Sequence, residues 1–249
     1  MIPYLEIHVI PVGPVNIQVW GLFVAIGIAA ALRLGVGECR RLKLDVDAFL
    51  DLALWSLLGA FAGARLAHAL AYDPAVFAAD PFELLRVWHG GFSSIGGFIG
   101  GVGAGIFYAR RRKLDVRAYA NVAAFILPLG YGIGRIGCFL IHDHPGTLSH
   151  SLLAVRYPDG PRLDHGLLLS LLGFAIFGAF LALRKYRPGV FFPAAFIAMY
   201  APVRFLLDFY RVGDARYWGL TPAQIFCAAA IITLPFIRKK YVSAPLPRL

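Results

Sequence analysis

Charge is scarce in this sequence. Only 15% of its 249 residues are Asp, Glu, Lys or Arg while 59% are hydrophobic, and the mean hydropathy is +0.69. A soluble domain of this length carries about a quarter of its residues charged, so a water-soluble globule is excluded. Cysteine is also sparse: Cys39, Cys138 and Cys227 lie in or beside three different apolar stretches, with no C-x-x-C spacing. That pattern excludes a disulfide framework and supplies no metal motif, and the three are read as small packing residues. The N-terminal MIPYLEIHVIPVGP lacks a basic n-region and a small-residue cleavage site, so a removable signal peptide is not expected. No internal repeat, low-complexity tract or soluble linker domain is expected, and residues 1–249 read as a single helical membrane domain.

What is present is apolar length. Stretches long enough to cross a bilayer, about 20 residues each, fall at roughly 17–36, 48–71, 92–109, 118–141, 166–183, 190–207 and 220–237. The expected fold is therefore an all-α polytopic membrane protein of seven transmembrane helices. The short, glycine-rich 92–109 stretch makes six spans plus a re-entrant segment the competing layout. Lys and Arg are retained on the cytoplasmic side. With the N-terminus outside and the C-terminus in the cytoplasm, sixteen of the 24 basic residues fall in inner loops or the inner tail, in clusters near 33–43, 110–117, 184–187 and 238–248. Arg86, Arg156, Arg162, Arg211 and Arg216 remain outside, and Arg65, Arg135 and Arg204 lie within spans. The net charge of +10 is thus a topological anchor facing membrane lipids, and no nucleic-acid partner is expected.

GIGRIG, Gly132 to Gly137, matches G-x-G-x-x-G in letters only, because a dinucleotide fingerprint needs a strand and a βαβ context. Small-xxx-small spacing at Gly96/Gly100, Gly97/Gly101 and Gly101/Gly105 points to close helix packing. The intramembrane arginines call for a partner or a purpose, since Arg at a span centre costs about 2.5–3.5 kcal/mol on insertion scales. All three lie toward the outer ends of their spans; Arg204 has Asp208 at i+4, a candidate structural ion pair. Guanidinium forks grip phosphate oxygens bidentately, so together they suit a phospholipid headgroup. His142 and His144 at i, i+2 lack an obvious third ligand, and no metal is expected. Trp20, Trp88 and Trp218 read as membrane-interface anchors.

At these residues the chain resembles the prolipoprotein diacylglyceryl transferases of the bacterial inner membrane. GYGIGRIGCF with a downstream acid, Gly130 to Asp143, is similar to the family signature G-R-I-G-N-F-I-N-G-E; GPVNIQVWGL, GARLAHALAYDP, WHGGFSSIGGFIGG and RFLLDFYRVGDAR recur in family order. The resemblance implies seven spans with the N-terminus outside, and transfer of the diacylglyceryl group of phosphatidylglycerol to the lipobox cysteine thiol of a prolipoprotein. A thioether forms and glycerol phosphate leaves, with no cofactor, at an active site toward the periplasmic face. It places Arg135 on the signature arginine, Asp143 on its acid, Arg204 and Arg211 on the two arginines of the sixth-span motif, and Asp208 on the glutamate between them. The expected catalytic set is Arg135, Arg204, His142 and Asp143. Arg135, Arg204, Arg211, Arg65, Asp208, Gly134 and Gly137 are expected to bind phosphatidylglycerol.

The chain departs from the family pattern at several points. Ile95 stands where the family carries a histidine, Cys138 and Ile141 replace the signature asparagines, and R-H-P-S-Q-L-Y-E reads RLDHGLLL at Arg162 to Leu169. Isoleucine takes no proton, so the base is expected at His142, seven residues after Arg135 and on about its face if the helix continues. His89 and His144 are the alternatives. The competing functions are a divergent paralogue with another acceptor or headgroup, a non-catalytic phospholipid-binding protein, and a small-solute transporter. The last lacks paired interrupted helices at the midplane.

Overall fold

A computed structural model of the chain describes residues 1–71, 74–86, 91–187 and 189–241. Its helices are α1 (Val19–Arg41), α2 (Val46–Ala71), the short α3 (Pro74–Ala79), α4 (Ser94–Arg111), α5 (Val116–Ile141), α6 (His165–Tyr186), α7 (Phe192–Leu207) and α8 (Pro222–Tyr241). A helix therefore occupies each of the seven apolar stretches. Five are long and apolar enough to cross a membrane: α1, α2, α5, α6, and α7 continued through the 3-10 turn to Tyr210. Large side chains such as Leu58, Phe61, Phe107, Ile232 and Phe236 point outward, as expected where hydrocarbon replaces water around the helices.

The chain forms two compact units, one from residues 1–35 and 120–249, the other from 36–119. In the second, α2 and α4 meet through small residues, as the glycine spacing predicts. A Cβ at Gly96 would run into the Gly63 carbonyl oxygen, and one at Gly100 into that of Gly59. Backbones this close maximise dispersion contact where no hydrophobic force drives helices together. In the first unit, a Cβ at Gly130 would lie 3.0 Å from the Gly27 carbonyl of α1, and one at Gly173 2.8 Å from Gly132 Cα. Ser170 of α6 donates to the Gly132 carbonyl at 2.8 Å.

Two expectations are corrected here. The fold is not all-α: β1 (Val9–Val12) and β2 (Val15–Gln18) form an antiparallel hairpin turning at Gly13, where φ is +59°. β3 (Pro145–Leu148), β4 (Val155–Tyr157) and β5 (Gly160–Asp164) form an antiparallel sheet in the order β3-β5-β4. The β4–β5 turn is Y-P-D-G, with Gly160 at φ +126°, a Pro-Asp-Gly turn signature. The N-terminal segment joins this sheet, Ile2 donating to Ala154 O and accepting from Arg156 N. The second correction concerns repeats. R-R-L-K-L-D-V-D-A-F before α2 and R-R-R-K-L-D-V-R-A-Y before α5 are the same turn built twice. Lys43 and Lys113 adopt φ of 54° and 53° at the helix ends. Leu44 N bonds Cys39 O and Leu114 N bonds Ala109 O, both at 2.8 Å, the six-to-one closure of a helix end. Asp45 and Asp115 then cap the next helix through their carboxylates.

Candidate active site

The site lies at the end of α5. Arg135 sits one turn before Cys138, partly buried, its guanidinium 5.1 Å from the centroid of Tyr131, whose hydroxyl is 2.9 Å from that of Tyr200 on α7. Its Nη1 is 3.8 Å from Cys138 Sγ. Among the described residues no carboxylate oxygen comes within ion-pair distance of Arg135. Gly134 is nearly open on its Cβ side, the nearest atom being Val24 Cγ2 at 3.8 Å, whereas Gly137 is filled by Trp20 and Phe23 of α1.

Helix α5 stops because His142 turns left-handed, at φ +50°, an unusual conformation for a residue bearing a Cβ. Its side chain explains the tolerance. Nδ1 lies 2.8 Å from Asp164 Oδ2 and Nε2 3.1 Å from the Leu5 carbonyl, so each ring nitrogen faces an acceptor oxygen. Tyr4 stacks on the ring at 4.3 Å, and Tyr157 donates to the same carboxylate at 2.6 Å. Burial and this Asp164 contact push the Tyr157 phenol well above its usual range. Asp164 also caps α6, accepting from Leu167 N at 2.9 Å. His142 is buried, with Asp164 at Nδ1 and the Leu5 carbonyl at Nε2, and it clamps the N-terminal segment, the sheet and two helix ends. His89, the first alternative, falls outside the described residues, as does Trp88.

The reversal at His142 brings Asp143 and His144 back over the last turn of α5. His144 donates from Nδ1 to the Asp143 carbonyl at 2.7 Å, which leaves Nε2 bare, 3.7 Å from Asp143 Oδ2. Arg211 Nη2 approaches the same Nδ1 at 3.3 Å, a longer contact that competes only in the other tautomer. Backbone pairing of Gly146 with Arg211, and of Val212 N with Pro145 O, sets this approach. Burial, and then the charges of Arg211 and Arg135, pull the His144 imidazole down to about 3. Burial pushes the Asp143 carboxyl up, against the pull of Arg135 and Arg211.

Arg204 is not a free cation. Its Nη1 is 2.8 Å from Asp208 Oδ1, both side chains buried, though the pair is not aligned as a hydrogen bond. Asp208 also accepts from the Thr221 hydroxyl. Thr221 and Gln224 form a reciprocal capping box at the start of α8, Thr221 N to Oε1 at 2.9 Å and Gln224 N to Oγ1 at 3.2 Å. Gln224 ties back to Phe205 O at 3.2 Å. The T-P-A-Q signature was present in the sequence, but its link to Asp208 needs the fold. Arg211 pairs with Asp214 at 3.2 Å.

Arg65 belongs to the other unit. It donates to the carbonyls of Glu83, Leu84, Arg86 and Gly91 at 2.6–3.3 Å and meets the Glu83 carboxylate at 3.4 Å. These contacts anchor its loop. Three residues escaped sequence reasoning: Asp164, Tyr157 and His165. His165 is fully buried, donates from Nε2 to Leu207 O at 2.9 Å, and leaves Nδ1 without a hydrogen-bond partner.

Fold and site together define a polytopic membrane protein with guanidinium groups gathered at the end of an apolar helix. Comparison with known proteins gives the family. The model for prolipoprotein diacylglyceryl transferase matches residues 8–237. The chain is 32% identical over 247 residues to a phosphatidylglycerol–prolipoprotein diacylglyceryl transferase of Ectopseudomonas mendocina, covering 93% of each chain. It is 34% identical over 241 residues to that of Chromohalobacter salexigens, covering 94% of this chain and 89% of the relative. The chain belongs to the prolipoprotein diacylglyceryl transferase family and is a membrane enzyme of the transferase class.

Proposed function

We propose that the protein transfers the diacylglyceryl group of phosphatidylglycerol to the lipobox cysteine thiol of prolipoproteins. The relatives' names supply donor and acceptor. The observation that carries the chemistry is Arg135, a guanidinium at the end of a spanning helix with no carboxylate partner among the described residues. In this reading the chain crosses the bacterial inner membrane seven times, N-terminus outside and C-terminus in the cytoplasm. The distribution of Lys and Arg supports that orientation, and it puts the end of α5 at the periplasmic side.

Phosphatidylglycerol binds with its phosphate on Arg135, its access favoured by the bare face at Gly134. Arg211 and Arg204 add to the field, and Asp208 orients Arg204. The acceptor thiol attacks the glycerol carbon bearing the phosphate ester. The C–S bond forms as the C–O bond breaks, and the electron pair leaves on the phosphate oxygen, whose developing charge Arg135 stabilises. The thiol proton passes to the bare Nε2 of His144, and Asp143 steadies the resulting imidazolium. In the free site burial, and then the charges of Arg211 and Arg135, oppose that protonation; the bound phosphate offsets the guanidinium part of this opposition. His142 positions this pair without touching the reacting atoms. The reaction so written needs no organic cofactor.

The test is turnover by the purified, detergent-solubilised protein given phosphatidylglycerol and a synthetic lipobox peptide, with mass detection of lipidated peptide and glycerol phosphate. Lipidation that vanishes in Arg135→Ala supports the proposal. Bound phosphatidylglycerol with no product sinks it in favour of a non-catalytic lipid-binding protein. Product formed on another acceptor favours the divergent paralogue.

A further inference from the structure

The turn after α5 gathers three chemically different ligands that the proposed transfer does not use as a set. Cys138 Sγ, a carboxylate oxygen of Asp143 and a ring nitrogen of His144 all lie within 4.8 Å of one another. The left-handed residue at 142 produces this arrangement by folding positions 143 and 144 back over Cys138. In sequence only the two histidines stood close enough to suggest metal chemistry, and His142 faces elsewhere.

We infer that Cys138, Asp143 and His144 form a three-ligand site for a thiophilic divalent ion of the zinc class, and that its occupancy shuts down the neighbouring arginine site. Three geometric features support it. His144 donates its Nδ1 proton to a backbone carbonyl at 2.7 Å, the support that a metal-binding imidazole ordinarily has, and this leaves Nε2 as the ligand. Nε2 and Asp143 Oδ2 stand 3.7 Å apart. That is long for a hydrogen bond and close to the roughly 3.4 Å separating two ligand atoms about 2.1 Å from a tetrahedral ion. Cys138 completes a thiolate, imidazole and carboxylate set, which selects zinc or cadmium over magnesium or calcium. Three protein ligands leave a fourth position open, as in exchangeable rather than structural zinc sites.

The charges fit as well. A thiolate and a carboxylate neutralise a divalent ion, so the bound cluster adds no net repulsion toward Arg211 or Arg135. The contact of Arg135 Nη1 with Cys138 Sγ, at 3.8 Å, joins the two sites. A metal that draws the sulfur toward itself removes a neighbour of Arg135 and engages Asp143 and His144 together. On the proposed transfer reading, a metal held by His144 Nε2 and Asp143 takes away the base and its partner, so transfer stops while the ion is bound.

The experiment uses the full chain, tag removed, EDTA-treated and in detergent, titrated with Cd2+ and then Zn2+. Metal retained after desalting and thiolate-to-cadmium charge-transfer absorption are read, neither of which depends on enzyme activity. About one ion per chain is expected, with the absorption lost in Cys138→Ser and Cys138→Ala. Binding should weaken about 10- to 100-fold or more in His144→Ala and Asp143→Asn. A Cys39→Ser/Cys227→Ser variant keeps the signal. Failure of the folded wild-type protein to take up Cd2+, or a signal that survives in Cys138→Ser, overturns the site. In the transfer assay Zn2+ is expected to inhibit the wild type and spare Cys138→Ser; binding without inhibition overturns the regulatory half alone.

Discussion

His142 Nδ1 lies 2.8 Å from Asp164 Oδ2, with both side chains 1% exposed. A buried pair of this kind holds structure together, because removing one partner strands the other in an apolar surround at about 3–5 kcal/mol. Asp164→Ala should therefore lower the thermal midpoint in detergent sharply, since it also uncaps α6 and strands Tyr157. His142→Ala should do likewise. Per folded molecule, however, its turnover should fall less than that of His144→Ala. The reverse order would return the base to His142.

Of the three arginines within spans, Arg135 has no carboxylate within ion-pair distance among the described residues, whereas Arg65 and Arg204 each have one. Its neutralisation should cost little stability and about 10²–10³ in kcat, the scale for deleting one preorganised electrostatic donor. Arg135→Lys keeps the charge but loses the fork, so it should retain part of the rate. Steady-state turnover beside a melting curve checks both. Full activity in Arg135→Ala would remove the phosphate assignment.

The helices were legible because lipid imposes length and apolarity, and each expected span coincides with a helix to within a few residues. Arg135 and the Arg204–Asp208 pair were legible for the same reason, being charges where charge is costly. The surroundings of His142 were not legible, because helical periodicity does not carry through a residue that leaves the helix. The contacts of Arg65 were not legible, because the carbonyls it binds lie 18–26 residues away. The small sheet at 145–164 lies outside the seven apolar stretches on which the fold was read, although Pro158-Asp159-Gly160 marked its turn.

Acid should weaken the fold through His144. Its folded-state pKa of about 3 lies below the ordinary 6.5, so between those values the unfolded chain binds more protons than the folded one. Stability then rises with pH across this window and is lost as pH falls from 6.5 toward 3. His144→Gln should flatten that part of the stability–pH curve in denaturant or thermal titrations. An unchanged slope would show that His144 is not held neutral by its surroundings.

The paired turns at Lys43 and Lys113 make a test independent of function. Each lysine holds a left-handed conformation that costs a residue with a Cβ about 1–2 kcal/mol, whereas glycine adopts it freely. Lys43→Gly and Lys113→Gly should each stabilise the protein by up to about 1 kcal/mol. Thermal melts of the two variants decide this; destabilisation would mean that the lysine side chains hold contacts that outweigh the backbone strain.

Arg204 and Asp208 separate structure from chemistry most cleanly. The pair is buried, and Thr221 of the α8 cap bonds the same carboxylate. Arg204→Ala alone leaves Asp208 without its cation and should cost about 3–5 kcal/mol, whereas replacing both by apolar residues, as in Arg204→Met/Asp208→Leu, should recover much of that loss. Turnover then discriminates. If Arg204 contributes to the field on the phosphate, the double variant regains stability and stays inactive. If Arg204 serves only to neutralise Asp208, stability and turnover return together, and Arg135 with Arg211 must carry the phosphate unaided.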